Sequence, residues 1–242
     1  MAGHTLFEEV KCPEIVEEGK SLQRLLEFFI CSFLSFCYRI YCMKILLIHG
    51  FKSNSKMNFF PWLREELIKL GHDVIVPNLP NANEPDPEEW VKTLLEAVKT
   101  VDDETVVVGH SLGAATALRF LEAVEVRSTC RGAVLIAAPW MIRDEKLRGF
   151  FMSELDFDVL MWKASKFTII HSHDDPVIPF DHAEKYAKVL HANLIERNDG
   201  EEHFQGERYP TILKAIQGIV GEEIVYEPGK SLDDEYAQLH ER

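Results

Sequence analysis

The chain has 242 residues, enough for one ordinary domain with a buried core and a cleft, and 46% hydrophobic with 27% charged residues is a globular composition. Its 26 basic and 40 acidic side chains leave a formal net charge of −14, a field that repels phosphate backbones and anionic head groups and argues against a nucleic-acid partner. Of the five cysteines, Cys12, Cys31, Cys37 and Cys42 precede Met43 and only Cys130 follows; this is neither a disulfide framework nor a Cys-x-x-Cys metal site, and it suits a reducing, cytoplasmic compartment.

In chain order, residues 1–42 read as an N-terminal extension that need not be part of the fold. Residues 25–43 are apolar but carry Glu27 and Arg39, which is marginal for a spanning helix of roughly 20 apolar residues. Acidic residues ahead of the stretch and the lack of a small-residue cleavage site make it a poor signal peptide. Met43 is therefore read as the working start, the alternatives being a membrane anchor or an amphipathic docking helix.

From Met43 to Val220, short apolar runs alternate with helical patterns. Such a βαβ succession predicts an α/β domain with three layers, helices on both faces of a mostly parallel sheet of about six strands. A strand is predicted at 44–49, a helix at 61–70 and a second strand at 73–77. The proline-rich stretch 81–87 is a loop that leads into a helix at 87–101. A strand at 105–109 and a helix at 113–124 follow, then a strand at 132–137; Val106-Val107-Val108 and Ala133-Val134-Leu135-Ile136 are continuous apolar runs, as expected of strands covered on both faces. Residues 139–165 form an insertion rich in Phe and Trp, either covering a cleft and lining an apolar pocket or simply packing on the sheet. A strand at 167–171, a helix at 182–190, a strand at 192–196 and a helix at about 209–220 complete the domain. The acidic segment 221–242 reads as a solvated tail.

The pentapeptide Gly109-His110-Ser111-Leu112-Gly113 sits directly after a predicted strand and opens a predicted helix. There Gly-x-Ser-x-Gly has a mechanical meaning: a tight turn exposes a nucleophilic serine, and side chains at 109 and 113 would collide with neighbouring backbone. A serine hydroxyl needs a base, and the base needs an orienting carboxylate. Asp175 follows the 167–171 strand at the sheet edge where ligands gather, and His203 lies in a loop before the last helix. Asp174 is read as a turn or capping residue, with exchange of roles between the two aspartates left open. His49 and His110 are placed as backbone-positioning neighbours of the cleft, His182 and His191 on a helix, and His72 and His240 at the surface. Two backbone donors for an oxyanion are expected, the N–H of Leu112 and that of Phe51, with Gly50 allowing the latter's loop to bend. The expected substrate pocket is His49, His110, Trp140, Phe151 and Trp162.

With these motifs in place, the chain resembles the small serine-hydrolase family that includes retinoblastoma-binding protein 9 and the bacterial YdeN-like hydrolases, within the α/β-hydrolase fold. The resemblance spans about 43–220 and rests on Ile48-His49-Gly50, Gly-His-Ser-x-Gly at 109–113, Asp-Asp-Pro at 174–176, His203-Phe204-Gln205 and the aromatic insertion. It implies a triad of Ser111, Asp175 and His203, hydrolysis of esters or short peptides, and no cofactor. The Leu-x-Cys-x-Glu segment linked to retinoblastoma protein binding has no counterpart near Leu94-Leu95-Glu96-Ala97, so that partner is not carried over. Two rival readings stand beside it: a non-catalytic binding protein on the same fold, and a metal-dependent hydrolase using His171, His173 and Asp175, against which Pro176 stands where a further histidine ligand would be needed.

Overall fold

The computed structural model describes residues 42–198 and 200–221. The extension before residue 42 and the segment after 221, with the anchor, docking-helix and tail expectations attached to them, lie outside the described residues. Among the described residues no helix is long and apolar enough to cross a membrane.

Six strands, β1 (Lys44–Ile48), β2 (Asp73–Ile75), β3 (Thr105–His110), β4 (Gly132–Ile136), β5 (Phe167–Ser172) and β6 (Asn193–Arg197), pair in the order β2-β1-β3-β4-β5-β6. Every pair is parallel, so the expected mostly parallel sheet is parallel throughout. The helices are α1 (Phe60–Lys69), α2 (Pro87–Ala97), α3 (Leu112–Ala123), α4 (Phe157–Lys163), α5 (Asp181–Val189) and α6 (Pro210–Val220). Side chains alternate across a strand with period two, and that alternation makes the layers. Leu46 and Ile48 of β1 join Val107, Leu135 and Ile169 in a core with α2, α3, α4 and α5. Ile45 and Leu47 join Val106, Val108, Val134 and Ile170 in a second core with α1 and α6. The result is the expected α/β/α sandwich.

Boundaries differ from the sequence reading where chain chemistry competes with apolar pattern. Helix α2 ends at Ala97 rather than 101, because Val98 takes an extended conformation and both Val98 and Val101 anchor the link to β3 in the core. Strand β2 stops at Ile75, before Pro77. His72, expected at the surface, is 4% exposed and its Nδ1 accepts the Met43 N–H. His191, placed on a helix by its sequence pattern, lies one residue past the Leu190 cap of α5 at φ 49°.

The insertion between β4 and β5 folds as a single 3-10 turn at Arg148–Phe151 followed by α4. Phe150 is buried edge-on against Trp90, and Arg119 of α3 reaches out to the carbonyls of Phe150, Ser153 and Glu154. Glu122 accepts from the Asp156 N–H just before α4. Lys163, buried at the end of α4, donates to the carbonyls of Val124 and Glu125 just past the C-terminus of α3, where helix carbonyls lack partners and positive charge is favoured. The insertion is thus clamped to α3 rather than draped over the sheet edge.

Between β1 and β3 the winding reverses direction: the chain steps from β1 to β2 on one side, then crosses back to β3 on the other. In parallel sheets ligands bind at the C-terminal edge beside such a switch point. The loop after β1 and the turn after β3 meet there because of three glycines. A Cβ on Gly109 would stand 2.5 Å from the Gly113 carbonyl oxygen, and one on Gly113 would stand 2.5 Å from that of His49. A Cβ on Gly50 would lie 3.0 Å from Ser111 Cβ. Gly50 has no positive φ, so its role is close approach to the serine and not the bend predicted for it. Gly113→Ala is expected to cost about 1–3 kcal/mol of stability, the usual price of forcing atoms into a filled space. A urea midpoint equal to wild type would contradict this account of the turn.

Candidate active site

Ser111 sits between β3 and α3 at φ 54° and ψ −127°, a conformation that L side chains rarely adopt. Its N–H donates to Ile136 of β4 at 2.8 Å, and Gly109 and Gly113 supply the space described above. The turn lifts Oγ toward the loop that carries His203. His203 Nδ1 is 2.7 Å from Asp175 Oδ2, and His203 Nε2 is 2.9 Å from Ser111 Oγ. An ionised carboxylate can only accept, so Nδ1 carries the proton and donates it to Asp175. The bare Nε2 then accepts the serine O–H.

The Asp175 side chain is fully buried and every lone-pair direction has work. Oδ1 accepts the N–H groups of Val177 and Ile178 at 2.8 and 2.9 Å, an Asx turn that points Oδ2 at the histidine. This turn, with Pro176 inside it, orients the carboxylate. His171, beneath it, donates Nε2–H to the Ile178 carbonyl at 2.9 Å and lies 3.6 Å from Asp175 Oδ2.

Behind the serine, His110 points away from the cleft into the second core, against Phe59 and Phe60, and donates Nε2–H to the His203 carbonyl at 2.8 Å. His49 is fully buried, donates Nδ1–H to the Gly50 carbonyl and accepts the Leu79 N–H at Nε2. Both histidines therefore hold backbone, as their placement beside the cleft suggested, and the pocket role given to them is corrected: neither ring has a face free for a ligand. Trp140 is half-buried, stacked on Phe157 and tilted onto Tyr186, while Phe151 packs on the first core. Trp162 is 81% exposed on α4 and lines no cleft. A groove of about 660 Å³ between β5, β6 and α6 is lined by Lys166, Thr168, Arg197 and Lys214 among others, and by none of the five predicted pocket residues.

The metal reading does not assemble. His171 spends Nε2 on a carbonyl, and His173 stacks on Phe180 and faces Glu196 at 2.9 Å. Among the described residues no three His, Cys, Asp or Glu side chains form a ligand set.

Leu112 N–H, at the first position of α3, and Phe51 N–H, in the loop held against the serine by Gly50, donate to no group among the described residues. Helix N-termini leave such donors free and positive.

The buried histidines set an acid limit on stability. Burial lowers the pKa of His49, His171 and His182, and drives that of His110 to about 3, the His203 imidazole adding to the effect. The unfolded chain takes up these protons as pH falls through about 6.5, while the folded chain does not. Stability is thus full above that pH and falls as pH drops from there towards 3, with His110 alone contributing at most ~1.4 kcal/mol per pH unit. The urea midpoint is expected to be clearly lower at pH 5 than at pH 7.5, and equal midpoints would contradict the burial argument.

Sequence reasoning did not find His171, Lys163 or Arg119. No motif marks them, since each acts on main-chain carbonyls whose position only the fold determines. His182 was placed on its helix, but its hold on the Trp140 N–H at 3.1 Å was not legible.

A parallel sheet wound in this order, with a serine at a strained strand-to-helix turn and an aspartate–histidine pair from the loops after β5 and β6, defines a hydrolase of the α/β-hydrolase fold. The comparisons agree. The family model described as serine hydrolase matches residues 45–208, and the chain belongs to that family. It is 29% identical over 171 residues to the hydrolase YdeN of Bacillus subtilis, across 70% of this chain and 90% of that protein. It is 22% identical over 166 residues to the serine hydrolase RBBP9 of Rattus norvegicus, across 67% of this chain and 86% of that protein. The crystal structure of the B. subtilis ydeN product superposes with a TM-score of 0.71 at 27% identity, covering 74% of this chain and all of that one. Est1E of Butyrivibrio proteoclasticus, at 15% identity and a TM-score of 0.59 over 76% of this chain and 91% or less of its own, shares the fold.

Proposed function

We propose that the chain hydrolyses ester or related acyl bonds of small molecules or short peptides, without a cofactor, through an acyl-enzyme on Ser111. The observation that carries this is the unbroken chain of hydrogen bonds from Asp175 Oδ2 through His203 to Ser111 Oγ, 2.7 and 2.9 Å. As Oγ attacks the carbonyl carbon, its proton passes to His203 Nε2, and Asp175 stabilises the imidazolium that forms. The carbonyl oxygen takes up charge between the Leu112 and Phe51 N–H groups, each donor worth about 3 kcal/mol in the transition state. His203 then gives the proton to the leaving group. A water, deprotonated by the same nitrogen, releases the acid and regenerates the serine.

The test is a fluorophosphonate probe followed by peptide mass analysis. An adduct on the peptide holding Ser111, absent from Ser111→Ala, supports the reading; absence of labelling in wild type favours a binding protein that has kept the fold. A panel of p-nitrophenyl esters against aminoacyl amides then separates esterase from peptidase.

A further inference from the structure

The loop that presents His203 is strained on both sides of the histidine. Glu202 has φ 46° and Phe204 has φ 54°, so both neighbours occupy the left-handed region without being glycine. Such a loop keeps its shape only where its surroundings hold it. On the C-terminal side the hold is apolar and internal: Phe204 is fully buried against Tyr209, its N–H donates to Glu201, and the His203 carbonyl accepts from His110. On the N-terminal side the hold comes from another loop. The Glu202 N–H donates to Asp174 Oδ1 at 3.1 Å, and the same oxygen accepts a short hydrogen bond from Ser172 Oγ. Ser172 is buried at the end of β5 and shares its hydroxyl with the Arg197 carbonyl of β6, so the carboxylate is braced from the sheet although its outer side is exposed.

We propose that Asp174 is a positioning residue for the base, tying the strained His203 loop to the turn that carries Asp175 so that acid and base keep one spacing through both proton transfers. This rests on the Ser111–His203–Asp175 reading. One tripeptide step then serves twice: Asp175 holds the imidazole ring and Asp174 holds the main chain one residue before it. The Ser172 hydroxyl, and after it the Glu202 N–H, keep the Asp174 carboxyl ionised below the usual carboxylate range. Both hydrogen bonds fall on one oxygen, so an amide oxygen in its place can accept them too, whereas a methyl group cannot. Loss of the clamp frees only the approach to His203. Phe204, the His110 contact and the Arg197–Glu201 ion pair still anchor the loop, and the fold survives.

The experiment compares steady-state hydrolysis of a p-nitrophenyl ester by the full-length wild type, Asp174→Ala and Asp174→Asn, with melting curves for all three. Asp174→Ala is expected to lower kcat about tenfold with KM within about twofold, the size of effect expected of one hydrogen bond to a charged group. Asp174→Asn is expected to recover kcat to within about twofold of wild type. Equal kcat in wild type and Asp174→Ala, a loss carried by KM, or an Asn variant as slow as Ala would overturn the proposal. If wild-type turnover survives Ser111→Ala, the active-site reading itself has failed; if turnover depends on Ser111 but not on Asp174, only the clamp has.

Discussion

Ser111→Ala is expected to abolish turnover, lowering kcat by about 10⁶-fold, the size of effect seen when a triad serine is removed. The backbone argument adds a second expectation that separates chemistry from folding. The serine is held at φ 54° and ψ −127° by flanking glycines and by its N–H bond to Ile136. Such strain costs about 1–3 kcal/mol in a residue with a Cβ and almost nothing in glycine. Ser111→Gly should therefore be as inactive as Ser111→Ala yet more stable than wild type by ~1 kcal/mol, within the range in which relaxed active sites gain stability. Ester hydrolysis and urea denaturation measured on the same samples check both halves. A glycine variant less stable than the alanine variant would show that the turn is not strained in the native protein.

The second large effect is expected at Asp175. In Asp175→Asn the carbonyl oxygen can keep the Val177 and Ile178 N–H bonds, so the turn should persist. The amide nitrogen then faces His203 Nδ1, and it can only donate. Nδ1 must accept, the ring proton moves to Nε2, and the serine meets a donor in place of a base. A fall in kcat of about 10⁴-fold is expected, with little change in KM or melting temperature. A loss smaller than about tenfold would transfer the orienting role to another group, the neighbouring Asp174 being the first to test.

Both arguments use residues that were legible before any coordinates, and it is clear why. Ser111 is marked by two glycines whose missing side chains are a local requirement of the turn. Asp175 and His203 are marked by their places after predicted strands. The three-layer sheet was legible because strands covered on both faces become unbroken apolar runs, as in β3 and β4. The pocket was not. Aromatic residues of the insertion carry the same helical spacing whether they line a cleft or fill a core, and Trp140 and Phe151 turned inward against the core while Trp162 turned out to solvent. Nor could pattern separate a histidine that meets substrate from one that braces a main chain. His49 and His110 look alike in the sequence, and only the carbonyls of Gly50 and His203 reveal their task. The Asp174 clamp was half visible: a capping role was legible, but its partner, the Glu202 N–H, stands 28 positions further on, beyond the reach of local spacing.

The imidazole and the hydroxyl that share a proton are 92 positions apart in the chain. Pairings so distant form late, because the entropy of closing a long loop is paid before the contact rewards it. Strands β4, β5 and β6 and the final helix must all be seated before the 203 ring arrives, whereas collapse of the first three strands needs none of them. In a refolding time course, recovered catalysis is therefore a clock for the last closure of the domain, and it should lag behind any signal that reports on helices alone.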